Sequence, residues 1–456
     1  MEIYSINCKK KFYLLLNKNE LNKMEKLCTN LVNTYNTNVL NNAPIEIKKA
    51  FYNEAKKSSK NPECIRGRKV LKTLIENHFE TDPEKQKPRP KFIGGPQTLT
   101  VHWSKIHQKM IYIFGEYHSK DMNCDERFGK KAKKEEWGSN KMSVEDFFFK
   151  LMLTTDVFID FFFEFPSYNK ELNEYTTVKI ANDPELRMQK LLDYFKKCVQ
   201  HSTRFNKECI LSRVHYFDIR RGDNKKGKIE NTGLLDMLQA KLYTILNKSK
   251  NERDKRFKTF LEQNPVFTMI MNGLAEINDN IFLDFCMTFF INTNKFVVKE
   301  LKKVDPDMQD LILTFIRNEF LEKTKSLRKM WQHNIPIILK HPYKKKAFNL
   351  ALNSIFINKI ICSMCLVADT YALARMFKNF NMKDMQKAYT GAIDQPRNAH
   401  NIIIYTGDLH AQTYRKFLNS INFTQIARSG LSTFENITCL NMKTIPQPFF
   451  SVWPEE

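Results

Sequence analysis

The sequence predicts an α/β fold: a mixed, largely parallel sheet with flanking helices, a long all-helical insertion and a helical N-terminal region. Three observations predict it. Apolar runs rich in β-branched and aromatic residues, at 110–114, 156–165 and 401–406, stop at Gly115, Pro166 and Gly407, as buried strands do. A helical pattern at 142–152 lies between the first two runs, giving the strand, helix, strand order of a parallel crossover. Residues 231–395 then repeat apolar side chains at helical spacing, as in Leu234, Leu235, Leu238, Leu242 and Ile245.

Residues 1–90 form the predicted N-terminal region, with helical spacing in Val70, Leu71, Leu74 and Ile75. The polar, proline-rich stretch 81–91 closes it, because proline stiffens the chain and withholds a hydrogen-bond donor. Residues 91–230 are read as the first part of the α/β domain. Thr98, Leu99, Thr100, Val101, His102 and Trp103 alternate with period two, and a polar turn at 104–109 joins them to 110–114, predicting a hairpin. The basic loop 129–134 is taken as solvated surface, with a mobile lid or anion contact as the alternative. The helix at 142–152 opens on Ser143 with Glu145 and Asp146 in its first turn, where a hydroxyl cap and negative charge suit the helix dipole. A further strand at 213–223 ends in charge, with Asp218, Arg220 and Arg221, and then in Gly222. Residues 231–395 are the helical insertion. Residues 396–456 return to the sheet, with a helix at 410–418, strands at 423–428 and 437–441, and a tail after Thr444 that contains prolines.

Lys and Arg number 73 and Asp and Glu 50 among 456 residues, a formal net charge of +23. A field of that sign favours anionic partners such as nucleic acid, phosphorylated substrates or acidic membrane. Because the basic residues are spread along the whole chain, solvated surface is the competing explanation. No segment approaches the roughly 20 uninterrupted apolar residues of a transmembrane helix, and residues 1–10 order their charges unlike a secretory signal. The expected location is cytoplasmic or otherwise intracellular, not secreted. Abundant Lys, Asn, Ile and Phe against few Gly suggest an AT-rich coding sequence, such as that of a large DNA virus or a protist. A virion or host cytoplasm therefore belongs among the expected locations. The ten cysteines are expected to be free thiols. Cys362 and Cys365, inside a helical pattern, are expected in the core and not as a metal or redox pair.

The chemistry-bearing residues gather at strand ends, where open α/β sheets place their ligands. One strand runs into Gly115, Glu116, Tyr117 and His118, and another into Gly407, Asp408, Leu409 and His410, so two strands end in Gly-x-x-His. Glycine there lets the backbone turn and leaves room over the strand end. Glu164 stands near the end of the third strand. Glu116, His118, Glu164 and His410 are the candidate catalytic residues. They are also a candidate ligand set for a divalent ion such as Zn²⁺, Mn²⁺ or Co²⁺, which takes imidazole nitrogen and carboxylate oxygen. Such an ion would lower the pKa of a bound water to make the nucleophile. Without metal, either His would act as general base with a Glu orienting the water. The pattern leaves both chemistries open. Gly115, Asp160, Asp218, Arg220, Gly407 and Asp408 are supporting candidates. Asp160 precedes Glu164 by four residues and shares its face, either orienting a ligand His or pairing with an Arg such as Arg220. Asp218, Arg220 and Arg221 form either a salt bridge or an anion clamp. His102, His107 and His215 are further residues that could approach the site.

The two Gly-x-x-His motifs and the strand-end Glu164, in this order and with a long helical region before the last motif, resemble the erythromycin esterase/ChaN-like superfamily, which includes the TraB/PrgY proteins and the Tiki metalloproteases. The resemblance covers residues 98–170 and 400–428. It implies an α/β fold with a helical insertion and a hydrolase-type site to which Glu116, His118, Glu164 and His410 belong. The members include esterases, metal-dependent proteases and haem-binding proteins, so the resemblance leaves the substrate open. This chain is expected to lack the anchor or signal of the membrane-bound and secreted members. The expected function is hydrolysis of a small-molecule ester or a peptide. Residues 405–410 are also similar to the Gly-Asp strand ends of calcineurin-like phosphoesterases, although no Asp-x-His strand opens the domain. The non-enzymatic alternative is a basic interaction or virion-type protein that binds nucleic acid on a retained hydrolase-like fold. No groove-reading motif or Cys/His finger accompanies it.

Overall fold

The structure, a computed structural model, describes residues 88–117, 141–155, 157–166, 168–169, 174–175, 191, 195, 212–219, 245, 250–340, 354–380, 396–430 and 438–450. Predictions for residues 1–87, the basic loop 129–134, His118, Arg220 and Arg221 lie outside these. The fold is mixed α/β, and the chain divides into two compact units. One takes in Met1–Glu164, Asn182–His215 and Asn379–Glu456, the other Phe165–Ala181 and Tyr216–Lys378.

The strands are β1 (Phe92–Gly94), β2 (Thr98–Ser104), β3 (Lys109–Glu116), β4 (Lys141–Ser143), β5 (Ile159–Pro166), β6 (Tyr168–Asn169), β7 (Glu174–Tyr175), β8 (Ser212–Asp218), β9 (Asn401–Gly407), β10 (Thr424–Gly430) and β11 (Cys439–Asn441). The main sheet has the order β10-β2-β3-β9-β5-β8, and a small one the order β11-β1-β4. β9 pairs in parallel with β3 and with β5, whereas β2 is antiparallel to β3 and to β10. The predicted hairpin is thus β2 and β3. β3 and β9 are buried along their whole length, which is why their sequences run apolar without alternation. The crossover prediction needs one amendment: β3 and β5 run in the same direction, but β9 lies between them. A strand separated by nearly three hundred residues fills the middle of the sheet, a pairing that local pattern cannot announce.

Among the described residues, two long helices cover this sheet. α1 (Val144–Thr154) starts at Ser143, whose hydroxyl accepts the Asp146 N–H at 3.1 Å, as its sequence predicts. Its Phe148 meets Phe114 and Tyr405 edge-on at 5.1 and 5.7 Å. The second helix, Asp408–Ser420, begins directly from β9 and packs on β3 and β2. Its Arg415 reaches Thr98 and Thr100, which are in register with Gly115 and Ile113, whereas Phe114 between them meets α1. The helices therefore lie on opposite faces of the sheet.

The predicted tail is a correction. Ile445, Phe449 and Phe450 are buried, and the Phe449 ring stacks on Tyr112 at 4.0 Å and meets Phe147 at 4.9 Å. Pro446 and Pro448 do not make residues 445–450 loose, because the aromatic pair that follows them has a core to enter. The cysteine prediction is corrected at one position: Cys286 and Cys365 are free thiols, but Cys439 is disulfide-bonded.

The second unit contains α2 (Lys250–Gln263), α3 (Pro265–Leu274), α4 (Asp279–Cys286), α5 (Lys295–Leu301), α6 (Pro306–Lys340) and α7 (Ser354–Phe377), with a π-helical segment at Met287–Asn292. α6 and α7 pack along one another, and α5 packs on α7. Buried Glu300 on α5 pairs with Lys378, with Lys303 at 3.4 Å and with Arg375 at 3.7 Å. Burial pushes its carboxyl up, but Arg375 and Lys378 hold it down at about 2. No single helix among the described residues is long and apolar enough to cross a membrane.

Candidate functional site

β3, β9 and β5 end together. In register, Gly115 faces Thr406, Glu116 faces Gly407, and Phe163 faces Tyr405. The starts of the two Gly-x-x-His motifs are therefore neighbours, and Glu164 stands on the strand beside them. Side-chain alternation then sorts the residues between the two faces. Phe114, Tyr405, Phe163 and Glu116 point toward α1, while Gly115, Thr406 and Glu164 point toward the helix Asp408–Ser420, called the β9 helix below.

Glu164 and His410 are brought together. Glu164 Oε2 accepts the Thr406 hydroxyl and the Gly407 N–H, both at 2.9 Å, and Oε1 lies 3.3 Å from His410 Nε2. Both side chains are buried, so this carboxylate exchanges water for fixed donors, which a buried charge requires. The local sequence produces the arrangement. The β9 helix starts at the last residue of the strand, so its positive end adjoins Glu164. A helical side chain leans back over the preceding turn, which carries His410 toward the strand ends. The His410 ring lies near-parallel to that of Tyr414, one turn on, at 6.4 Å.

Asp408 is held on the same face. Its Oδ1 accepts from Thr98 Oγ1 at 2.6 Å and from Arg415 at 3.1 Å, and Oδ2 accepts from Gln412 at 2.9 Å. Gly115 makes the space: a Cβ built there collides with Asp408 Oδ1 and Thr98 Oγ1. Gly407, by contrast, contributes its N–H. Both glycines were predicted to turn the backbone and leave room over the strand end; Gly115 lies inside β3 and makes room, for Asp408, while Gly407 is the last residue of β9.

Glu116 is buried and accepts the Tyr405 hydroxyl, on the α1 face. Asp160 shares the face of Glu164 but serves another group. It takes Arg213 through Nε at 2.5 Å and a terminal nitrogen at 2.9 Å, and His215 Nε2 at 2.7 Å. Among the described residues the arginine is Arg213 and the histidine is His215. Burial alone would push the Asp160 carboxyl up, but Arg213 and His215 hold it well below the usual carboxylate range. His215 lies between Phe162 and Phe380, at 4.3 and 5.5 Å. Asp218 is buried at the end of β8. His102 is buried on β2 with Nε2 3.1 Å from Thr100 Oγ1; burial and then Arg415 lower its pKa to about 4. His107, in the hairpin turn, stacks on Phe423 at 5.3 Å.

No protein-family model, curated protein or solved structure matches this chain. Among the described residues, no group of three or more His, Cys, Asp or Glu side chains is arranged to hold a metal ion. Glu164 and His410 are two donors of the predicted set.

Sequence reasoning missed Thr98, Tyr405, Thr406 and Arg415. Only Arg415 left a signal, since a residue seven after Asp408 lies two helical turns above it on the same face. The threonines and the tyrosine read as ordinary strand residues.

Proposed function

We propose that this chain is a hydrolase of small-molecule esters or peptides whose working pair is Glu164 and His410. The observation that carries this reading is the buried approach of Glu164 Oε1 to His410 Nε2 at the carboxyl ends of parallel strands. Glu164, held by the Thr406 hydroxyl and Gly407 N–H, accepts a hydrogen bond from Nε2–H and so directs the Nδ1 lone pair to act as base. Nδ1 takes a proton from water as the oxygen attacks the carbonyl carbon, and returns it to the leaving alkoxide or amine. A divalent ion such as Zn²⁺, Mn²⁺ or Co²⁺ would draw on Glu164 and His410 with His118 as a third donor, and would supply a more acidic water. The reading carries with it the relationship to the erythromycin esterase/ChaN-like superfamily, the helical N-terminal region and an intracellular or virion location.

The test is turnover of a panel of nitrophenyl esters and fluorogenic peptides by the full chain, His410→Gln and Glu164→Gln. Loss of His410 should lower kcat by about 10²–10⁴-fold. Undiminished turnover in both folded variants would refute the assignment. Elemental analysis of the same samples separates the two chemistries: metal present in the parent and absent from His410→Gln supports an ion at this pair. The net charge of +23 favours a second reading, an anion- or nucleic-acid-binding protein on the same scaffold. Retention on nucleic acid that weakens steeply with salt, together with no hydrolysis, would favour it.

A further inference from the structure

The helix that carries His410 starts without the usual restraint. Its N-cap is Gly407, which offers no side chain to the exposed N–H groups of the first turn. That turn is tied down from elsewhere. Asp408, its first residue, accepts from Thr98 Oγ1 on β2 and from Arg415 two turns along the helix. Arg415 in turn donates to Thr98 Oγ1 at 2.6 Å and to Thr100 Oγ1 at 3.1 Å. The Thr98 hydroxyl therefore gives one hydrogen bond and receives another, closing a ring through Asp408 and Arg415. Asp408 and Arg415 are only 15% and 14% exposed, so solvent screens their ion pair less than one on the surface. The ring closes because Gly115 lacks the Cβ that would occupy the place of the Asp408 carboxylate.

We propose that Gly115, Thr98, Asp408 and Arg415 form a latch that fixes the first turn of the helix on β2 and so sets His410 against Glu164. Arg415, Asp408 and Thr98 are positioning residues, and Gly115 supplies the space. The geometry stands independently; its catalytic consequence rests on the hydrolase reading. A displacement of about 1 Å at a reacting group costs on the order of a hundredfold in rate, so a latch that holds one helical turn suffices to matter.

The test compares full-length Thr98→Val, which keeps the shape and loses only the hydroxyl, with Thr98→Ser, which keeps it, and with Gly115→Ala. Histidine-ring resonances are titrated in isotope-labelled protein, with the His410 signal identified by its loss in His410→Gln, and turnover is measured alongside. Thr98→Val and Gly115→Ala should shift the His410 signal and its titration midpoint and lower kcat on the order of tenfold or more with KM little changed. Thr98→Ser should restore all three. An unmoved His410 titration in folded Thr98→Val overturns the latch, whatever turnover does, and this variant decides alone should Gly115→Ala fail to fold. A moved titration in a protein that hydrolyses nothing supports the latch and defeats the hydrolase reading instead.

Discussion

Replacing Asp160 by Asn should destabilise the sheet unit by about 3–5 kcal/mol, the cost of stranding a buried charge. Asp160 is fully buried, and the side chains of Arg213 and His215 are 6% and 1% exposed. Three hydrogen bonds to one carboxylate, at about 1.5–3 kcal/mol each, set a gross loss of about 4.5–9 kcal/mol. Part is recovered, because the Asn carbonyl still accepts one bond, Arg213 keeps the Pro396 carbonyl at 2.9 Å, and its guanidinium lies 3.6 Å from the Phe380 ring centre. Buried Lys109, whose pKa burial lowers to about 8, also loses the attraction of Asp160. The double replacement Asp160→Leu with Arg213→Met should cost far less than either single change, because a buried ion pair roughly balances its own desolvation. Urea unfolding followed by circular dichroism gives the overall change, and hydrogen exchange of β5 and β9 amides reports the sheet itself. The sign with pH is fixed by the depressed carboxyl. Its contribution is present above the unfolded value of about 3.9 and is lost as pH falls below it. A single variant within about 1 kcal/mol of the parent, or a double variant as costly as both singles added, would refute the reasoning.

His102 should give the protein a second, earlier acid limb. Burial and Arg415 lower its pKa to about 4, so between about 6.5 and 4 the unfolded chain binds a proton that the folded one refuses, and stability falls by up to about 3 kcal/mol as pH drops. His102→Gln should flatten that limb in urea titrations from pH 7 to 4, and an unchanged limb would count against it. Phe449→Ala should cost about 3–5 kcal/mol, since it empties a site bounded by Tyr112, Phe114 and Phe147. A midpoint equal to the parent's would return this segment to a loose tail.

The strands that carry chemistry were legible because β3, β5 and β9 are buried on both faces and so write uninterrupted apolar runs, with glycine or proline at their ends. The hairpin and α1 were legible for local reasons, a period of two and a Ser143 cap. What was not legible depends on distance along the chain. Nothing near residues 401–407 states that β9 enters between β3 and β5. The need of Asp160 for a partner was legible, but that Arg213 supplies one depends on strand pairing and not on residue type. Phe449 and Phe450 were misread because proline neighbours suggest a tail, whereas two adjacent aromatics have enough apolar surface to anchor one.

The repeated motif also shows how register governs role. Gly115 and Gly407 occupy the same place in Gly-x-x-His, yet they are not opposite one another: Gly115 faces Thr406, and Glu116 faces Gly407. A one-residue offset exchanges the faces to which side chains point. Glu116 consequently turns toward α1 and the Tyr405 hydroxyl, while the face bearing Gly115 receives Asp408, Thr98 and the helix with His410. The partner of His410 then comes from β5, the third strand, because Glu164 follows Phe163 and alternates onto that face. Asp160 reaches the same face from the same strand, roughly 13 Å away at 3.3 Å per residue. Its ion pair with Arg213 is thus placed to hold β5 in the register that presents Glu164, since a slip of one residue would bury Phe163 where the carboxylate stands.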